Sequence, residues 1–171
     1  KTTIATAITE ELGLKYRMLN AVINNKKDFE IFDRMNQGDN YIAASKIADE
    51  IFLEEAKIFG YKEGTIEYEK LKAKIVPVYD REKFSNKWKR LEEKKPSHTL
   101  VAHLSKDTYS HIHPTEPRGI SVREAARIQS FPDDFFFDCS MGDAFKQIGN
   151  AVPPLLALGV AKVITKAYKE V

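Results

Sequence analysis

The sequence predicts an α+β fold with a helical N-terminal segment, a small β-rich unit and a C-terminal helix. Apolar residues recur at helical spacing before residue 80 and after residue 121. Between these segments, two short runs rich in β-branched and aromatic residues are bounded by Pro96 and Pro114, which is typical of strands. The chain has 171 residues, of which 43% are hydrophobic and 30% charged, and this composition indicates a folded protein.

The first 80 residues are predicted to be mainly helical. Thr3 is suited to cap a first helix, and apolar side chains continue at a similar spacing over the next twenty residues. Residues 37–40 have the composition of a turn, and the strong apolar stripe that follows them ends near Gly60. A further helix over residues 67–75 is closed by Pro77.

Residues 99–104 and 109–113 predict the two short strands, joined by a polar turn. After them, Ser121 and Glu124 have the spacing of a capping box, so a helix should begin there and stop before Phe131. A last helix is expected to begin at Pro153 and Pro154, because proline suits a first helical turn. We therefore divide the chain into residues 1–80, 81–120 and 121–171.

The charge of the chain is unevenly distributed, although the net charge is only +2. Residues 81–118 contain nine basic and five acidic side chains, whereas residues 1–80 contain 12 basic and 14 acidic ones. Trp88, His103 and Tyr109 lie among the charges of the basic segment. Such a segment has what phosphate binding requires, although composition alone favours a solvated charged face.

Cysteine and histidine usage gives little sign of redox or metal chemistry. The single cysteine, Cys139, excludes an internal disulfide, fits a reducing compartment and has no basic neighbour that would activate it as a nucleophile. His98, His103, His111 and His113 fall within 16 positions. Because zinc sites normally also recruit cysteine or a helical histidine pair, we expect strand or nucleic-acid-facing histidines and no metal site. No apolar run approaches the ~20 residues of a membrane span, and no signal peptide is evident.

Three stretches of the chain resemble one family. Residues 95–100 (KPSHTL), followed by His113 and Pro114, resemble the end of the target recognition region of DNA (cytosine-5)-methyltransferases. Residues 118–132 (RGISVREAARIQSFP) are similar to the ninth conserved motif of that family, and residues 147–154 (QIGNAVPP) to its tenth and last. The order and spacing of the three stretches also match, and together they cover about half of the chain.

The parts of the family pattern that are missing are those that carry out the reaction. The sequence has no Gly-rich cofactor loop, no Pro-Cys nucleophile motif and no Glu-Asn-Val motif. Cys139 lies after the ninth motif and cannot be the family's nucleophile. The resemblance thus implies the DNA-reading, C-terminal part of a methyltransferase, without catalytic residues, whose last helix would pack on an absent Rossmann-like catalytic domain.

The resemblance also implies a cofactor, partners and a location. The complete enzyme would transfer a methyl group from S-adenosylmethionine to a cytosine flipped out of double-stranded DNA. It would work in the bacterial cytoplasm on the nucleoid, in a restriction–modification system. The partners of this chain would be double-stranded DNA and the catalytic domain of the same or a companion chain.

By the same resemblance, candidate site residues can be named. Thr99 would contact a phosphate beside the flipped nucleotide, and the loops between Thr99 and Arg118 would read the major groove. Asn150 and Val152 would help to hold the cofactor. Lys106, Asp107 and His103 are candidate readers of the bases, and Lys87, Lys89 and Arg90 are expected on phosphates. Arg118 is a further candidate DNA contact.

Arg123 and Arg127 are four positions apart, so they share a helix face and are expected to support the fold more than to bind DNA. Three interpretations remain open for the whole chain. It is a piece of a single-chain methyltransferase, for which an opening residue other than Met is a hint; or it is the small subunit of a naturally split enzyme. The third is an unrelated helical interaction domain.

Overall fold

The computed structural model describes residues 26–81, 83–85, 87–101, 104, 106 and 108–169. The chain divides into two compact units. The first, called here the α1–α3 unit, comprises residues 22–97 and 107–119, and the second, the α4–α6 unit, includes residues 98–106 and 120–171. The described elements are α1 (Lys26–Arg34), α2 (Tyr41–Phe59), α3 (Ile66–Ile75), a 3₁₀ turn (Thr108–Ser110), α4 (Val122–Ile128), α5 (Met141–Asn150) and α6 (Pro154–Lys169).

Helix α2 is the longest element, and local signals define both of its ends. The Asn40 side chain accepts hydrogen bonds from the backbone N–H groups of Ile42 and Ala43, as an N-cap does. At the other end, Gly60 takes the left-handed conformation (φ 69°) that lets a helix stop. The predicted helix that ends near Gly60 is therefore confirmed, as is the turn before it, where Gly38 has a φ of 88°.

The core of the α1–α3 unit lies where α1 and α3 pack against α2. Helix α3 begins after Thr65, whose hydroxyl accepts from the Tyr68 N–H, and it ends at Ile75, two residues before Pro77, as predicted. Aromatic rings fill the middle of this core. Trp88 packs edge-on against Phe32 at 5.6 Å and against Tyr109 at 5.0 Å between ring centroids. Trp88 is thus a core residue instead of a surface aromatic among the charges.

The predicted β-rich unit is not supported. Among the residues described between 88 and 119, strand pairing is limited to isolated bridges, which join Lys89 to Asn40, Arg90 to Ile112 and Ile112 to Gly119. Residues 108–110 form a 3₁₀ turn instead of continuing a strand. After Ile112 the chain turns back, and the His113 Nδ1 atom accepts from the Glu116 N–H within this turn. The described part of the chain is therefore mostly helical.

The α4–α6 unit begins with the predicted capping box. The Ser121 hydroxyl accepts from the Glu124 N–H, and the Glu124 carboxylate accepts from the Ser121 N–H. Helix α4 packs against α5, and the side chains of Ala125, Phe145 and Ile148 are buried. The last helix starts at Pro154, as predicted.

Helix α6 has no buried residue. No membrane span was predicted from the sequence. By length and composition alone, the stretch Met141–Lys169 is nonetheless long and apolar enough to cross a membrane. In the structure, however, the stretch is broken at Pro153 and Pro154 into helices of 10 and 16 residues. Each is shorter than the ~20 residues that a span requires, and α5 is partly buried in its own unit.

Three sequence predictions lie outside the described residues: the helix capped by Thr3, the apolar stretch that continues it, and the candidate base readers His103 and Asp107.

Candidate functional site

Arg90 is buried, with 6% of its surface exposed. Its guanidinium donates to the backbone carbonyls of Phe32 and Met35, at the end of α1, and to that of Pro114 at 3.1 Å. Burial lowers the pKa of this guanidinium, against the raising effect of Asp33 and Asp39. The helix end supplies carbonyls that have no partner within the helix, and a cation suits the negative end of its dipole. This position favours a structural role over the phosphate contact expected from the sequence.

Lys87 and Lys89 are both half-buried, whereas Trp88 and Arg90, which alternate with them in the sequence, are buried. The Lys87 ammonium lies 3.8 Å from the centre of the Tyr79 ring and 5.5 Å from that of Phe84. Such cation–π contacts hold the ammonium in place while leaving it partly hydrated. Lys87 is therefore a positioned cation on the surface of the α1–α3 unit.

Thr99 and Lys106 are both exposed, and both fall in the α4–α6 unit. Between them, Leu100 and Leu104 are buried, so leucines anchor the described part of this segment while Thr99 and Lys106 remain accessible. The Leu104 N–H donates to the Val101 carbonyl at 3.0 Å, which closes a turn.

Arg118 closes a tight turn over residues 113–118. The His113 N–H donates to the Arg118 carbonyl at 2.8 Å, and the Arg118 Nε donates to Glu116 at 2.7 Å. One further guanidinium N–H reaches the Gly119 carbonyl. With 15% of its side chain exposed, Arg118 offers only part of its surface to a DNA phosphate.

The two described histidines of the α1–α3 unit, His111 and His113, have separate structural roles. His111 is fully buried, with its Nδ1 atom 2.8 Å from the Ser110 hydroxyl, whereas His113 organises the turn described above. His111 therefore faces the protein interior and not a nucleic acid. Across the part of the chain that the structure describes, no three His, Cys, Asp or Glu side chains are grouped for a metal.

Arg123 and Arg127 bind protein groups. Arg123 donates to the carbonyls of Pro132 and Phe135, and Arg127 makes a two-pronged pair with Asp133 at 2.7 and 2.9 Å. The Asp133 hydrogen bond raises the pKa of Arg127, and the same contact lowers the pKa of Asp133. These contacts fit the scaffold role expected from their spacing.

Asn150 and Val152 lie where α5 ends and the chain turns into α6. Asn150 is the last residue of α5 and is exposed, and Val152 is 64% exposed. The helix end is capped by the Ala151 backbone, whose N–H donates to the Ile148 carbonyl. The cap therefore uses backbone atoms, and the Asn150 amide is accessible to a ligand.

Gln129 and Ser130 were not singled out in the sequence, although both contact this turn. The Gln129 amide donates to the carbonyls of Ile148 and Ala151, and the Ser130 hydroxyl accepts from the Leu155 N–H. Ser130 has a φ of 61°, in the left-handed region that non-glycine residues rarely adopt. Gln129 and Ser130 are two consecutive polar residues between the end of α4 and the Phe131-Pro132 dipeptide. This position is the sequence signal that could have indicated their contacts.

Comparison with known proteins decides the family. The family model for C-5 cytosine-specific DNA methylases matches residues 4–166. The chain belongs to the C-5 cytosine-specific DNA methylase family.

Individual members of this methylase family are also similar to the chain. A candidate type II methyltransferase of Oceanobacillus iheyensis, M.OihORF3336P, is 64% identical over 84% of this chain and 31% of its own length. The type II methyltransferase M.AgeI of Thalassovita gelatinovora is 50% identical over 56% of this chain and 22% of its own. M.NgoFVII of Neisseria gonorrhoeae is 39% identical over 55% of this chain and 25% of its own.

The methylase chain thus spans less than a third of the length of these relatives. No solved structure matches it.

Proposed function

We propose that the chain is the DNA-recognition and cofactor-site-completing part of an S-adenosylmethionine-dependent DNA (cytosine-5)-methyltransferase of a restriction–modification system. The observation that carries this proposal is the surface of α6. Its side chains are largely apolar and none is buried within the chain: Leu155, Leu156, Leu158, Val160, Val163 and Ile164 are all exposed. A helix this apolar requires a partner surface, and a Rossmann-like catalytic domain would provide it.

The cofactor site is proposed to be completed at the start of α6. Asn150 offers an amide with both a donor and an acceptor, and Val152 offers an apolar surface beside it. Both are exposed immediately before the helix that would dock. S-adenosylmethionine supplies the methyl group, and these two residues would contact it from the edge of the catalytic domain.

Each unit is proposed to contribute DNA contacts of its own. In the α1–α3 unit, Lys87 and Lys89 would hold phosphates and Arg118 would contact the DNA. In the α4–α6 unit, Thr99 would hold the backbone phosphate beside the flipped base. Lys106 is accessible to the groove, and His103 stays a candidate reader. We assign Arg90 to the fold, because its guanidinium already binds three carbonyls. The division of the chain into residues 1–80, 81–120 and 121–171, with DNA recognition assigned to the second range, stays a prediction.

The proposed catalytic domain belongs either to the same polypeptide or to a companion chain, acting in the cytoplasm on the nucleoid. The coding sequence immediately upstream of Lys1 distinguishes the two. An in-frame extension with the Pro-Cys and Glu-Asn-Val motifs supports one polypeptide, whereas a start codon supports a split enzyme.

The docking surface can be tested with a reconstituted enzyme, meaning this chain combined with a family catalytic part that carries the Pro-Cys and Glu-Asn-Val motifs. Val160→Glu places a charge on α6 at a site that is 51% exposed in the chain itself. Burying a valine stabilises a contact by about 1.5–3 kcal/mol, so we expect the affinity of the two parts to fall at least tenfold. The measurement is titration of the chain into the catalytic part.

The control is Lys166→Glu, which places the same carboxylate on α6 at a side chain that is already charged; it changes the net charge by −2, against −1 for Val160→Glu. It should retain most of the affinity. Equal affinities for wild type and Val160→Glu would contradict a role of α6 in docking.

A further inference from the structure

Gln129 is placed to hold the end of α5. It is 8% exposed and follows directly after α4. Its amide nitrogen donates to the Ile148 carbonyl at 3.1 Å and to the Ala151 carbonyl at 3.0 Å. The last carbonyls of a helix have no partner within the helix. One amide group therefore holds the backbone on both sides of Asn150.

Ser130 holds the beginning of α6. Because residues 153 and 154 are both prolines, Leu155 supplies the first backbone N–H of this helix. That N–H donates to the Ser130 hydroxyl at 3.2 Å, so Ser130 acts as an N-cap provided by another segment of the chain. The left-handed backbone of Ser130, with φ 61°, directs consecutive side chains to the two helix ends. Such a conformation persists only where the surrounding contacts maintain it.

We infer that Gln129 and Ser130 form a clamp that positions the turn between α5 and α6 for the cofactor. The inference rests on the proposed function, because it assumes that Asn150 and Val152 contact S-adenosylmethionine. The clamp binds the Ile148 and Ala151 carbonyls on either side of Asn150 and the Leu155 N–H after Val152, without using the side chain of Asn150 or Val152. A turn that is ordered before the ligand arrives avoids the entropic cost of ordering upon binding. Gln129 and Ser130 are therefore positioning residues, and neither needs to touch the cofactor.

The test uses Ser130 variants of the reconstituted enzyme. Ser130→Ala removes the acceptor, and Ser130→Gly removes it while relieving the left-handed backbone. Both should raise KM for S-adenosylmethionine about three- to tenfold, as loss of one neutral hydrogen bond implies, with kcat and KM for DNA within twofold. Ser130→Asn tolerates this backbone and restores an acceptor, so it should bring KM back toward the wild-type value.

Gln129→Glu has the same shape but replaces the donating amide by a carboxylate oxygen facing two carbonyls. It should raise KM for the cofactor more than tenfold; if it fails to fold, the Ser130 series decides alone. The inference would be overturned if Ser130→Ala lowered the melting temperature and impaired kcat, KM for DNA and KM for the cofactor together, and Ser130→Asn restored none of them. Ser130 would then make only a structural contact.

Asn150→Ala separates the inference from the proposed function. Losing an amide that pairs with the ligand should weaken cofactor binding roughly five- to 150-fold. If Asn150→Ala weakens cofactor binding but the Ser130 and Gln129 variants do not, the clamp is refuted and the cofactor site stands. If none of the three changes cofactor binding in an active enzyme, the proposed cofactor role of the turn fails, and the clamp with it.

Discussion

Arg90 and Lys89 are neighbours in a run of basic residues, yet only Lys89 has access to solvent. Lys89 and Arg90 are consecutive bridge residues, and successive side chains of extended, paired backbone face opposite sides. Trp88 and Arg90 share the inner side, where the tryptophan packs in the aromatic core and the arginine binds carbonyls. The alternation is visible in the sequence once Trp88 is placed in the core. The lysines beside Trp88 do not show that it lies in the core, because a tryptophan among lysines is also typical of a nucleic-acid-binding surface.

Lys87 and Lys89 are predicted to contact phosphates. Each phosphate contact contributes about 0.9 to the slope of log affinity against log salt. Replacing both lysines by alanine in the reconstituted enzyme should therefore flatten the slope by up to about 1.8. The measurement is a fluorescent-duplex titration at several salt concentrations. The control replaces Lys57 and Lys62, two exposed lysines of the same unit; an unchanged slope in the Lys87 and Lys89 variant would make them a solvated face.

Arg90 is predicted to stabilise the α1–α3 unit. Arg90→Met keeps much of the side-chain volume but leaves buried carbonyls without their charged donor, which should cost about 2–4 kcal/mol. Denaturant unfolding of the variant should show this loss, and Lys89→Met, at the half-exposed neighbouring position, should change stability by less than about 0.5 kcal/mol. If the Arg90→Met enzyme were as stable as wild type and the slope of its log DNA affinity against log salt were flatter, Arg90 would be a DNA contact and not a structural residue.

At the scale of elements, the predicted helices α2, α3, α4 and α6 are present, whereas the predicted strands are not supported. The α2 and α4 boundaries depend on the contacts of Asn40, Gly60 and Ser121 with their own helices, so sequence signals suffice. Residues 109–113 have a strand-like composition, but Ile112 and His111 are buried in an irregular segment. Strand formation depends on a partner far along the chain, and local patterns do not specify one.

The segment between Thr99 and Arg118 is predicted to choose the DNA sequence. In the reconstituted enzyme, exchanging residues 101–117 for those of a relative with a different site should change which cytosines are methylated. Sequencing of methylated plasmid DNA provides the measurement. The exchange keeps Thr99, Leu100 and Arg118, and the exchanged segment should also retain Leu104, His111 and Ile112, because these three side chains are buried. Activity that survives at the original site would place recognition elsewhere, with residues 61–95 as the next candidates.

At the scale of the whole molecule, the family was predictable but a complete site was not. Residues 118–132 and 147–154 carry the family resemblance, and the family comparison confirms it. Asn150 and Val152, however, are exposed at the end of one unit with no ligand-enclosing wall described around them. Since the chain spans 31% of its Oceanobacillus iheyensis relative, the remaining walls would come from residues outside this sequence.

The central claim is that this chain supplies recognition and part of the cofactor site but not the chemistry. The most direct test measures transfer of a labelled methyl group from S-adenosylmethionine to duplex DNA by the chain alone, the catalytic part alone and both together. We expect incorporation into cytosine only when both are present, because the chain has neither the Pro-Cys nor the Glu-Asn-Val motif. Sustained incorporation by the chain alone would contradict the account.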